Sequence, residues 1–318
     1  MSITTEVTLL LRQCIAERAS DLYFLPYQCS YQLQMRTATG IELIRTLPVE
    51  LAKAWLNHLK FTAKMALSET RRPQLGARQI EIDGQLIFLR LSAVGNFQNQ
   101  ESLVIRFIYA QSGQMQYVLP KQFSQLTALC QQRGLVVFAG PTGSGKTTTL
   151  YELAAQLGDS KMVMAIEDPI EIFQTDFLQL QVNEAAGMTY AALLKVGLRH
   201  RPDILIVGEI RDEQTANVAA RAALSGHLVL STVHARTARQ VPTRLSELGI
   251  ASATLKACLT GVSYQRLLPT KAGAAVLFDI YDPTQGGNDN ESTWQQNLAR
   301  AVKLDQISLA TQQAFKNG

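Results

Sequence analysis

Two rhythms of apolar and polar positions run along this chain, and they change over near residue 110. Before that point the apolar runs are short. Val7, Leu10, Leu11, Cys14 and Ile15 keep a helical period within residues 7–19, and Ala19-Ser20-Asp21 breaks it. Strand-like runs follow at 22–25, 31–35 and 41–44, separated by turn residues. Pro48 opens a helix expected to reach about residue 67, with Leu51, Trp55, Leu59 and Met65 on its apolar side. Residues 79–82 and 85–91 alternate about Asp83-Gly84, the pattern of a hairpin, and 102–109 reads as one more strand. These elements predict a small α+β domain over residues 1–110. The weakly periodic stretch QSGQMQYVLPK, residues 111–121, reads as a linker.

From residue 122 the pattern alternates continuous apolar runs with helical periodicity, which predicts a parallel α/β sheet over residues 122–318. Strands are expected at 135–139, 162–167, 204–208 and 228–233, with a helix at 212–224 among those between them. After Ala251 a mostly helical segment is expected to reach Leu268. A strand at 274–281, a polar loop at 282–292 and two modest helical stretches complete the reading.

Composition narrows the function classes. A chain of 318 residues, 47% hydrophobic and 18% charged, suits a soluble two-domain protein. Lys plus Arg is 30 against 26 for Asp plus Glu, and a net charge of +4 is too mild to argue for nucleic-acid binding by the whole chain. Cys14, Cys29, Cys130 and Cys258 form no C-x-x-C pair, so neither a zinc site nor a redox motif is expected. No signal peptide is visible, and no apolar run approaches the length of about 18 residues that spans a membrane. The expectation is a cytoplasmic protein whose membrane role, if any, is peripheral.

The chemistry concentrates in the second part. Gly140 to Leu150 reads GPTGSGKTTTL, the G-x-x-x-x-G-K-T phosphate loop, between the apolar run LVVFA and a helical stretch. Gly140, Gly143 and Gly145 let backbone N–H groups close around phosphate oxygens, with Pro141, Thr142, Ser144 and Thr148 completing the loop. Lys146 would reach the β- and γ-phosphates, and the Thr147 hydroxyl would ligate Mg²⁺.

Residues 203–212, DILIVGEIRD, form an apolar strand ending in an acidic residue. Glu209 there would hold the Mg²⁺ shell or orient a water. In AIEDPIE the carboxylates Glu167, Asp168 and Glu171 crowd another strand end. Such density calls for a cation or an activated water, an acidic surface turn being the alternative. In GHLVLSTVHA, His227 and His234 flank a strand, too far apart to share a metal. His234 would bond a γ-phosphate; a structural role is the alternative for each.

Together these segments resemble the secretion and type IV pilus ATPases. GPTGSGKTTTLY is similar to that family's Walker A, AIEDPIE to its Asp box, LRHRPDILIVGEIRD to its Walker B region and GHLVLSTVHA to its His box. Arg244-Leu245, Gln265-Arg266-Leu267, Ala19-Ser20-Asp21 and Arg72-Pro73-Gln74-Leu75-Gly76 match further segments, so the likeness covers about residues 15–270. It implies a PAS-like α+β N-terminal domain joined to a RecA-like P-loop domain, a homo-hexameric ring, and ATP with Mg²⁺ bound between domains. Arg90 and Arg106 match family arginines that reach toward the phosphates, and Arg199 matches another whose target is open.

The extra N-terminal domain, the tetracysteine zinc module and the C-terminal A-I-R-N-L-I motif of other branches are not found, which resembles the competence branch of Gram-positive bacteria. Leu75 stands where the family has Asp, and Lys195 where it has Arg. The resemblance then implies a Mg²⁺-dependent ATP-hydrolysing motor, peripheral on the cytoplasmic face of the membrane. It would act on a polytopic platform protein to assemble a pseudopilus for DNA uptake, without direct nucleic-acid contact. Either Glu167 or Glu209 would position the water. A DNA-stimulated translocase and a nucleotide-gated scaffold with little turnover are the competing uses of the same core.

Overall fold

Asp83 and Gly84 both adopt positive φ, 51° and 73°, the backbone of a two-residue hairpin turn whose twist matches its strands. That turn joins two strands of the first of two units into which the computed structural model divides, Met1–Ser112 and Gly113–Gly318. The structure describes residues 2–109, 115–285 and 293–318.

The first unit opens with α1 (Ile3–Ala16), then β1 (Asp21–Tyr27), β2 (Ser30–Thr37), β3 (Gly40–Pro48) and α2 (Val49–Thr62). The strands β4 (Gln74–Ile82), β5 (Gln85–Gly95) and β6 (Glu101–Tyr109) complete it. They pair antiparallel in one sheet of order β3-β2-β1-β6-β5-β4. The helices cover one face. Val7, Leu10 and Leu11 of α1 and Trp55, Leu56 and Leu59 of α2 pack with Leu22, Phe24, Leu33, Leu89 and Ile105 of the sheet. Helix α2 stops at Thr62, short of the expected residue 67, because Lys64 turns to φ 59° and closes the last turn.

The second unit carries α3 (Pro120–Cys130), β7 (Gly134–Ala139), α4 (Lys146–Leu157), β8 (Val163–Glu167), β9 (Phe177–Gln181) and α5 (Tyr190–Gly197). Next come β10 (Ile204–Glu209), α6 (Glu213–Leu224), β11 (Leu228–Val233), α7 (Val241–Glu247) and α8 (Ser252–Cys258). Last are β12 (Leu259–Thr270), β13 (Gly273–Tyr281), α9 (Thr293–Lys303) and α10 (Leu309–Ala314). The sheet runs β13-β12-β7-β11-β10-β8-β9, parallel except that β13 is antiparallel to β12.

Its central strands are buried on both faces, which is why they read as unbroken apolar runs. In β7, Leu135 and Val137 join the core beneath α5 and α6, while Val136 and Phe138 join the core beneath α3 and α4.

Two expectations are corrected here. The segment expected to be helical to Leu268 is helical only over α8, and from Leu259 it is the strand β12 beside the phosphate-loop strand. The apolar run LTGVSYQRLLPT is equally compatible with a buried helix. Its partners β7 and β13, distant in sequence or not yet folded locally, decide the outcome. The edge strand β9, half-exposed and five residues long, was not foreseen.

Residue 110, the last of the expected first domain, residues 111–114 of the expected linker and residues 286–292 of the expected polar loop lie outside the described residues. Tyr117 bridges Val276, and α3 starts at Pro120, so residues 115–121 pack within the second unit. Among the described residues no helix is long and apolar enough to cross a membrane.

Candidate functional site

The adjacent strands β7, β11, β10 and β8 all deliver their C-terminal ends to one edge of the sheet, where open α/β sheets bind ligands. Each ends in one of the singled-out segments: the Gly-rich loop after β7, His234 after β11, Glu209 on β10 and Glu167 on β8.

The loop bends at Gly140, φ 143°, where a β-carbon would fall 2.4 Å from the Gln265 carbonyl and 2.7 Å from Ser144 Oγ. Gly145, φ 82°, turns the chain directly into α4. Pro141, Thr142 and Gly143 are exposed at the loop's crest, while Gly145, Lys146, Thr147 and Thr148 are half-buried.

Lys146 Nζ donates to the carbonyls of its own loop, Gly140 at 2.9 Å and Pro141 at 3.0 Å. Burial lowers its pKa, with the charges of Glu209 and Glu171 opposing that shift. Buried Ser144 Oγ has no hydrogen-bond partner among the described residues. An ammonium folded back on carbonyls and a buried orphan hydroxyl are both groups that a phosphate would engage. The cradle fits a nucleotide triphosphate tail.

The carboxylates divide sharply. Glu167 is 4% exposed, and the Tyr151 hydroxyl donates to its Oε2. Burial raises its pKa to about 7; the Tyr151 bond pulls the other way and the Glu171 charge adds to the rise. Its side chain lies against Gly208, where a β-carbon would come 3.2 Å from Glu167 Cγ. The register of β10 against β11 shifts between Val207 and Glu209: the bulge leaves Gly208 without a ladder partner, and Glu209 pairs with Thr232. Glu209 pairs with Arg211 at 2.6 Å and with His234 Nε2 at 3.2 Å.

Thr147 Oγ1 donates to Glu171 Oε2 at 2.9 Å, tying the phosphate loop to the acidic segment. Thr147, Glu167, Asp168, Glu171, Glu209, Arg211 and Tyr190 line one cavity of about 50 Å³. Its donors are hydroxyl and carboxylate oxygens, the ligand type of Mg²⁺. No group of three His, Cys, Asp or Glu able to hold a metal by itself occurs among the described residues. The oxygen donors of Thr147, Glu171 and Glu209 fit Mg²⁺ by ligand type.

The other expected residues stand elsewhere. His227 sits at the opposite end of β11, its Nδ1 3.1 Å from the Ala222 carbonyl, so its partner is local backbone. Arg199 is exposed on a 3-10 turn before the N-terminal end of β10, away from the phosphate loop. Arg90 and Arg106 lie in the first unit, directly opposed on β5 and β6. Like charges so placed repel, and Asp21, opposite Arg106 on β1, balances them with a 2.9 Å bond to Arg106 Nε.

Three residues of the site carried no signal of their own role. Fully buried Gln265 donates to the Ser144 carbonyl at 2.9 Å and to Thr149 Oγ1 at 3.1 Å, bracing the loop from β12. Tyr151 reads as one more apolar position of α4, and Gln179 sits on the unforeseen β9. A polar residue inside an apolar strand, as at Gln265, was the available clue.

A family profile described as "Type II/IV secretion system protein" matches residues 1–306. The competence protein ComGA of Streptococcus pneumoniae is 44% identical over 299 residues, covering 94% of this chain and 94% of that protein. ComGA of Bacillus subtilis is 37% identical over 265 residues, covering 81% of this chain and 74% of that protein. Among solved structures, the pilus retraction motor PilT with bound ADP superposes with a TM-score of 0.73 at 23% identity, covering 96% of this chain and 95% of that one. The ATPase DotB of Legionella pneumophila gives 0.71 at 20% identity over 98% and 95%. These last two establish the fold.

Proposed function

Because this chain belongs to the type II/IV secretion system protein family, we propose that it is an ATP-hydrolysing motor that drives assembly of a competence pseudopilus for DNA uptake. One observation carries the catalytic part of this reading. The phosphate loop, Thr147, Glu167 and Glu209 converge on one sheet edge, and the lysine of the loop stands ready on carbonyls it can release.

On this reading the loop N–H groups, the α4 N-terminus and Lys146 hold the triphosphate. Lys146 exchanges its two carbonyl bonds for phosphate oxygens, and Ser144 Oγ gains an acceptor. Thr147 and Glu209 are the residues that would hold Mg²⁺, which would supply charge neutralisation at the phosphates. Glu167, whose pKa of about 7 matches the working range of a general base, accepts a proton from the attacking water. Arg211 and His234 orient Glu209 until nucleotide arrives, when His234 can turn to the γ-phosphate. Arg90 and Arg106 act on the developing charge, Arg106 being positioned by Asp21. The working form is a homo-hexamer bound peripherally to the cytoplasmic face of the membrane. Its motion passes to a polytopic platform protein, and nucleic acid is not touched directly.

ATP turnover by purified protein, with and without DNA and alongside sizing in ATP and Mg²⁺, tests this. The expected result is DNA-independent turnover by a hexamer that Lys146→Ala abolishes. Normal turnover in that variant would sink the assignment, and turnover that requires DNA would replace the motor with a translocase.

A further inference from the structure

The strongest unassigned constellation lies behind Glu167. Tyr151 is fully buried on α4, its ring tilted against Phe177 with centroids 5.5 Å apart. Its hydroxyl touches two groups, Glu167 Oε2 and Gln179 Nε2, the latter at 2.9 Å. The Gln179 carboxamide has no freedom to turn over: its Nε2 also donates to the Ile172 carbonyl at 2.7 Å, and its Oε1 accepts from the Gln174 N–H at 3.0 Å. Reversed, it would set oxygen against oxygen at Ile172 and nitrogen against N–H at Gln174.

This fixes the direction of every proton in the chain. Gln179 donates to the tyrosine oxygen, so the tyrosine proton points at Glu167. Tyr151 keeps that proton because burial and the adjacent carboxylate raise its pKa far above the usual phenol range. Oε2 of Glu167 is thereby committed as an acceptor, and Oε1 is the oxygen left to take a proton from water.

We infer that Tyr151 and Gln179 form a positioning pair that locks the Glu167 carboxylate in one rotamer and directs Oε1 to the attacking water. Tyr151 lines the same cavity from α4, while Gln179 comes from the edge strand β9, whose pairing with β8 sets it opposite Ala165, two residues before Glu167. The role is distinct from packing, since the tyrosine ring already fills its space without the hydroxyl. The inference rests on Glu167 being the base, so the test must separate the two claims.

The experiment measures ATP turnover of Tyr151→Phe, Gln179→Met, Glu167→Gln and the Tyr151→Phe/Glu167→Gln double variant in the full chain. Thermal unfolding and sizing show which variants are folded. Residual turnover is followed with enzyme in excess of ATP. Tyr151→Phe should lose about tenfold in kcat with KM for ATP unchanged, because the ring and its packing remain and only the carboxylate is released. Its acid limb should move to higher pH, since the bond lost favoured the ionised carboxylate. Gln179→Met should give a smaller loss of the same kind. In the Glu167→Gln background, Tyr151→Phe should add nothing.

A folded Tyr151→Phe enzyme with wild-type kcat would overturn the inference. So would an equal loss in the presence and absence of Glu167. Wild-type turnover in Glu167→Gln would remove the base assignment and the inference together, whereas an inactive Glu167→Gln beside a normal Tyr151→Phe would remove the inference alone.

Discussion

Glu167 and Glu209 end neighbouring parallel strands, carry the same functional group and line the same cavity, yet they are held in opposite ways. Glu167 packs against Tyr151 and Gly208 and, among the described residues, has no cation partner in its hydrogen bonds; burial raises its pKa to about 7. Glu209, half-buried at the end of β10 just after the bulge at Gly208, is paired with Arg211 and His234. Burial without a countercharge makes Glu167 a proton acceptor near neutral pH, while Glu209, beside a guanidinium, offers carboxylate oxygens of the type a metal shell takes. The difference is set by what each strand end packs against, a tyrosine of α4 for Glu167 and the side chains of Arg211 and His234 for Glu209.

The comparison breaks most severely with Glu167→Gln. It should lower kcat by about 10²–10³-fold with KM for ATP little changed, measured by steady-state turnover. The next effect is pH. Glu167 faces Tyr151 of α4, Asp168 and Glu171 of its own loop, Tyr190 of α5, Glu209 at the end of β10 and Arg211 beyond it. A base must be ionised to act, so turnover should rise with pH through about 7 and level off above it.

The same shift affects stability. The folded pKa of about 7 lies above the ordinary 4.5, so the folded state binds the extra proton between those values. That stabilisation is complete below 4.5 and is lost as pH rises through 7, leaving a buried charge at pH 8. Glu167→Gln should therefore raise stability at pH 8 by about 2 kcal/mol relative to its effect at pH 5, read by denaturant unfolding without nucleotide. His234→Ala, which removes one of the two side-chain partners of Glu209, should have the smallest effect, a loss of several-fold in turnover.

The site's loops were legible because their chemistry is local. A Gly-rich turn between a buried strand and a helix, and acidic residues at strand ends, can be placed without knowing which strands are neighbours. Glu167, Asp168, Glu171 and Glu209 do converge with Thr147 on one cavity. What the chain concealed depends on pairing between segments distant in sequence. β12 reads as a helix until its place beside β7 is known, and with it the reason Gln265 is buried is hidden. Gln179 is one of two glutamines in the alternating run FLQLQ, and its neighbours are unknown until β9 pairs with β8. The buried Lys60–Glu101 ion pair of the first unit is concealed likewise, since α2 and β6 meet only in the fold. His227 and His234 flank the same strand in sequence, and opposite ends of β11 give one a backbone carbonyl and the other the Glu209 carboxylate.

The central claim is that these two carboxylates divide the work, Glu167 taking the proton and Glu209 serving the metal. Single-turnover hydrolysis of Glu167→Gln and Glu209→Gln across a Mg²⁺ titration at saturating ATP tests it most directly. The account predicts that raising Mg²⁺ restores a large part of the Glu209→Gln rate and none of the Glu167→Gln rate. Restoration of Glu167→Gln by Mg²⁺, with Glu209→Gln inactive at every concentration, would reverse the assignment.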